Sequence, residues 1–87
     1  MKIKEGFMLR QVAGSYVVVA YGQRAVDFNG MITLNETGAF LWEQLSKGAD
    51  KEGLLASMLE AYEIDSETAS RDIDSFLKKL EDAGIAE

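Results

Sequence analysis

Two hydrophobic periodicities divide this chain near residue 34. Before that point the apolar residues come in short runs rich in β-branched and aromatic types, the composition of strands. Residues 6–12, GFMLRQV, alternate imperfectly between apolar and polar. Residues 15–21, SYVVVAY, are apolar at both parities, with Tyr16, Val18 and Ala20 on one side and Val17, Val19 and Tyr21 on the other. A strand that is apolar on both sides suits the centre of a sheet better than its edge. The Ala13-Gly14-Ser15 link can make a tight turn, so the two runs predict a hairpin. Asn29 and Gly30 both tolerate positive φ and predict a turn. A short third strand, MITL, follows at residues 31–34.

Beyond residue 34 the spacing becomes helical. Asn35 is a favoured N-cap, with Glu36 placed to interact with the positive helix end. Phe40, Leu41 and Leu45 form a stripe that Trp42 widens, and Lys47-Gly48 closes this first helix. A second helix starts at Asp50 and carries Leu54, Leu55, Met58, Leu59 and Tyr62 on one face. Residues 63–65 interrupt it. Asp65 then caps a third helix running from Ser66 to about Ala83, with Ala69, Ile73, Phe76, Leu77 and Leu80 on its apolar face. Ile64, just before the cap, is placed to pack on Ala69 as a hydrophobic staple. Gly84 ends the helix, and Ile85 can fold back onto its last turn. The outer face holds Glu67, Arg71, Asp72, Asp74, Lys78, Lys79, Glu81 and Asp82. Gly38 is the odd residue, inside a helix where glycine costs about 1 kcal/mol relative to alanine. Close approach of neighbouring backbone would explain it.

The predicted order is β-β-β-α-α-α over one domain spanning residues 1–87. A three-stranded antiparallel sheet followed by three helices is an α+β architecture, and its inventory is that of a winged helix-turn-helix.

Composition narrows the chemistry. The chain has no histidine and no cysteine, which removes the commonest general base, thiolate nucleophiles, disulfides and the usual metal ligands. The acidic pairs Asp72 with Asp74 and Glu81 with Asp82 fall on a solvent face and read as solvated charge. Gly22, Gly30 and Gly38 form no phosphate-binding loop, and no calcium-binding loop is present. No enzyme activity, cofactor or metal is expected. No stretch reaches the length of a membrane span, and the N-terminus lacks the apolar core of a signal peptide. A soluble, cytoplasmic protein is the expectation.

The net charge of −6 is unevenly placed. Up to residue 34 the chain carries four basic and two acidic residues; after it, five basic and thirteen acidic. An acidic helical half disfavours nucleic acid, whose phosphates require cations. A winged-helix DNA-binding regulator is therefore a weaker reading than a binding module for protein or peptide.

The short third strand, joined through a long link, is expected at a sheet edge. Met31, Ile32, Thr33 and Leu34 contain no proline, lysine or inward charge to block that edge. An extended peptide can add a strand there, with a helix alongside to supply pockets. A proline at Ile32 is then expected to weaken binding, provided that residue's N–H faces the peptide. A further reading is a self-associating module, dimeric through the edge or a swapped hairpin.

The segments VVVAYGQRAVDFNGMITLNETGAFLWEQL and LLASMLEAYEIDSETASRDIDSFLKKLEDAGI resemble the PqqD-like family over roughly residues 5–86, the most specific parts being ITLNETG…LW and the Y…D…A…D…F…L run into the last helix, taken in combination and order. The resemblance implies a winged-helix-like fold and a non-catalytic, chaperone-like role. Such domains bind the leader segment of a ribosomally made precursor peptide and present it to a modifying enzyme, often a radical SAM protein. Carried onto this chain, the peptide would pair with Met31, Ile32, Thr33 and Leu34. It would lie beside a helix wall of Asp72, Ile73, Phe76, Leu77 and Leu80. The chain departs from the family in lacking the proline often found where it has Ala20 or Tyr21.

Overall fold

The computed structural model describes residues 2–22 and 32–86. Among them lie β1 (Phe7–Val12), β2 (Ser15–Ala20), β3 (Ile32–Leu34), α1 (Glu36–Ser46), α2 (Lys51–Ala61) and α3 (Ser66–Asp82). The order is the expected β-β-β-α-α-α, and the strands form one antiparallel sheet in the order β1-β2-β3. This is an α+β fold for which winged helix is a loose description. β2 is central, as its two-sided apolar pattern requires, and β3 is an edge. The Asn29-Gly30 turn and Met31 lie outside the described residues.

The hairpin depends on its turn. Val12 pairs with Ser15, so only Ala13 and Gly14 form the loop. Both have positive φ, +52° and +82°, which is the type I′ geometry whose twist matches the flanking strands. Ala13 is the only non-glycine with positive φ among the described residues.

The helices start and stop where local chemistry directs. Asn35, Asp50 and Asp65 each accept, through a side-chain oxygen, from the backbone N–H three residues on: Gly38 at 2.7 Å, Gly53 at 2.8 Å and Thr68 at 2.7 Å. α1 and α3 both end in Schellman motifs. At the first, Gly48 N–H donates to Leu45 O and Ala49 N–H to Gln44 O; at the second, Gly84 N–H donates to Glu81 O and Ile85 N–H to Leu80 O. Ile85 thus folds back as expected, and both Ile85 and Leu80 are wholly buried.

The core joins one sheet face to all three helices through Val18, Leu34, Leu41, Leu54, Met58, Ile73 and Leu80. Ala69 belongs to it and Ile64, just before the α3 cap, packs against it. Residues near the two ends also meet. Ile3 bridges Ala86, and Lys4 N–H donates to Ile85 O at 2.8 Å. No helix among the described residues is long and apolar enough to cross a membrane.

Candidate functional site

The phase of the ladder decides which backbone groups of β3 are open. Tyr21 N–H donates to Gly6 O at 2.8 Å, which makes Gly6 and Tyr21 a hydrogen-bonded pair. Bonded and non-bonded pairs alternate along an antiparallel ladder. Counting by two, Met8–Val19, Arg10–Val17 and Val12–Ser15 are bonded pairs as well. Val17 therefore turns its N–H and C=O toward β1, while Tyr16 and Val18 turn theirs toward β3. Their partners there are Leu34 and Ile32. Thr33, opposite Val17, is left with its N–H and C=O directed away from the sheet.

Ile32 is half-buried, Thr33 exposed and Leu34 buried. Because the Ile32 N–H faces β2, proline at that position breaks the sheet itself, and Thr33 is the residue whose N–H a proline should remove.

One group already occupies the edge. Lys79 Nζ donates to Thr33 O at 2.9 Å. The strand carries no blocking residue of its own, but α3 supplies one across a separation of 46 positions. A lysine over an exposed strand edge is a recognised defence against unwanted pairing.

Between β3 and α3 opens a groove with two hollows. The first, about 500 Å³, has an apolar floor of Leu34, Leu41 and Phe76, with Asn35, Thr37 and Gly38 at the start of α1 closing one side. α3 contributes Asp72, Ser75 and Lys79. The second, about 550 Å³ and more open, lies against Ile32 and is lined by Ser75, Lys78, Lys79, Asp82 and Ala83. Residues 72, 75, 76 and 79 are spaced by three and four, so they form one flank of α3.

The sequence-expected wall divides on this geometry. Asp72 and Phe76 line the groove, and Phe76 does so while remaining 6% exposed as part of the core. Ile73 and Leu80 are 0% exposed and sit inside the core, so they offer no surface to a ligand. Leu77 is half-buried against the core and lines neither hollow. The groove instead receives Ser75 and Lys79, which the charge pattern had assigned to solvent or passed over. Their signal was present in the spacing from Asp72 and Phe76.

Gly38 also acquires a reason, different from the expected backbone approach. A Cβ there would stand 3.2 Å from the Leu34 Cβ and 3.2 Å from the capping Asn35 Oδ1. The close neighbours are side chains. Glycine lets the first turn of α1 sit directly on the buried end of β3. Among the described residues no cluster of three or more acidic, histidine or cysteine side chains could hold a metal ion.

These features define a class: a small α+β domain whose edge strand lies open beside its last helix. The chain belongs to the PqqD family, since the model of Coenzyme PQQ synthesis protein D (PqqD) matches residues 15–86. Two solved structures share its fold. One is TbiB1 in complex with the TbiA(beta) leader peptide, at 23% identity and TM-score 0.81, covering 100% of this chain and 95% of that one. The other is a lasso peptide synthetase B1 complexed with the leader peptide, at 21% identity and TM-score 0.78, covering 99% and 95%. No curated protein matches the chain.

Proposed function

We propose that this protein is a non-catalytic, cytoplasmic accessory whose 87 residues act as one peptide-recognition unit. It takes the leader segment of a precursor peptide as a fourth strand on β3, beside α3. It then presents that peptide to a modifying enzyme, for which a radical SAM protein is the family-based expectation. The observation that carries this reading is the outward direction of the Thr33 N–H and C=O at the wall of an apolar-floored groove. Both structural neighbours are complexes with leader peptides, which supports it.

The energetics require both parts of the site. Each backbone bond contributes about 1 kcal/mol net, and the described edge offers one donor and one acceptor. A disordered leader also loses conformational entropy on docking. An apolar side chain in the hollow over Leu34, Leu41 and Phe76 would add about 1.5–3 kcal/mol. Pairing fixes register, and the two contributions are comparable in size.

The test is a titration of the labelled protein with a candidate leader peptide. Amide shifts should concentrate at Ile32, Thr33 and Leu34 and along 72–79. Binding whose shifts map instead to β1 or α2 would sink this reading.

A further inference from the structure

The groove carries a charge arrangement that peptide docking alone does not require. Lys79 lies where the two hollows meet, and its one described polar partner is the Thr33 carbonyl. Among the described residues, carboxylates stand within ion-pair distance of Lys51 and Arg71, and none stands so close to Lys78 or Lys79. This is notable in a chain with 15 acidic and 9 basic side chains. The hollow against Ile32 thus holds two lysines without ion-pair partners, with Asp82 at its lining but beyond ion-pair reach. The hollow against Leu34 holds Asp72 over an apolar floor.

A strand added to β3 must bond through Thr33, whose carbonyl already accepts from Lys79. That oxygen has two lone pairs, so the strand's N–H competes with the ammonium for it and weakens its hold on the edge. The ammonium then gains from a second partner, and a carboxylate is the group that satisfies a cation best.

Strand geometry says where that carboxylate belongs. The ligand residue bonded to Thr33 shares its outward side-chain direction, so the two flanking residues point into the groove. In an antiparallel pairing, like every other pair in this sheet, the residue before it meets Leu34 and the residue after it meets Ile32. An acidic residue at the first position would face Asp72.

Resting on the proposed peptide docking, we propose that Lys79 is a displaceable cap on the β3 edge and the selector for an acidic ligand side chain. The peptide class is apolar–x–acidic, read from N- to C-terminus. The apolar residue sits over Leu34, Leu41 and Phe76, and the aspartate or glutamate pairs with Lys79. The middle residue bonds to Thr33.

The experiment is a displayed library of random ten-residue peptides, selected against the full chain and separately against Lys79→Gln. Lys79 is exposed, and retention of the amide spectrum verifies that the variant folds. The wild type should enrich an apolar residue followed two positions later by Asp or Glu. Lys79→Gln should keep the apolar enrichment and lose the acidic one. For one enriched peptide, acid-to-amide replacement should weaken binding to wild type about tenfold and leave binding to Lys79→Gln unchanged. The uncapped edge of Lys79→Gln should bind the amide peptide at least as well as wild type does.

Enriched peptides with no acid at that spacing, or with the same acid preference in Lys79→Gln, overturn the Lys79 proposal. If such peptides still lose binding in Thr33→Pro, edge docking stands without it. If Thr33→Pro binds the selected peptides unchanged, the docking reading falls and takes this proposal with it.

Discussion

Replacing Thr33 by proline separates the open edge from the paired one. The Thr33 N–H faces away from β2, so the substitution removes no bond from the sheet. The side chain is exposed and the ring meets no core contact. The fixed φ of proline lies near the extended region of an edge strand. The cost to folding should stay under about 1 kcal/mol. In the docked complex the same change removes one backbone bond, about 1 kcal/mol. It also leaves a peptide carbonyl without a donor in a partly desolvated groove, about 1–2 kcal/mol more. Together these predict binding about 30- to 150-fold weaker. Ile32→Pro is the control. Its N–H faces wholly buried Val18, so it should cost about 2–4 kcal/mol of stability. That is a large part of the roughly 4–13 kcal/mol expected for a chain of this length. Urea unfolding followed by circular dichroism, with fluorescence anisotropy of a labelled leader peptide, measures both quantities. If Thr33→Pro destabilises as much as Ile32→Pro, the Thr33 N–H does not face away from β2 and the ladder has the opposite phase. If it folds normally and binds unchanged, the edge is not the docking surface.

Three other outcomes are expected. Ala13→Asn should stabilise the protein by about 0.5–1 kcal/mol in urea unfolding, because asparagine tolerates the positive φ that alanine adopts here at a cost. Ile73→Ala should lose about 2–5 kcal/mol and bind only as poorly as its unfolded fraction dictates, whereas Ser75→Ala should leave stability unchanged. Hydrogen bonds from Thr68, first its side chain and then its backbone N–H, hold the Asp65 carboxyl below its ordinary value. Its contribution is therefore fully present above about pH 4 and lost as pH falls through the lower folded-state value. The stability difference between wild type and Asp65→Asn, which keeps a cap but does not titrate, should shrink over that acid range.

The elements were legible because their boundaries are written locally. Asn35, Asp50 and Asp65 cap within three residues, and Gly48 and Gly84 supply the left-handed stops. The two-sided apolar pattern of β2 likewise placed it centrally. The groove was harder to read. Phe76 belongs to both the core and the groove floor, so the apolar stripe of α3 pointed to Ile73 and Leu80, which the core consumes. Asp72 and Lys79 look like ordinary solvent charge until β3 is laid beside them. The Ile3–Ala86 bridge joins distant parts of the chain through backbone groups, and side-chain patterns do not encode such a contact.

One consequence of strand geometry reaches from the hairpin to ligand choice. In β2, Tyr16 and Val18 turn their side chains toward the helices and their backbones toward β3. Their partners Ile32 and Leu34 therefore pack inward and spend their own N–H and C=O groups on β2. The open backbone must belong to Thr33, whose side chain points to the opposite face, in line with Val17 and Arg10. A peptide residue bonded to Thr33 inherits that direction and cannot enter the groove. In the proposed mode, sequence selectivity at this edge is confined to the two flanking positions. Substitutions at the middle ligand residue should be nearly silent unless they introduce proline, which removes a ladder donor. Selectivity concentrated at the middle position would mean that the peptide does not bind as an added strand.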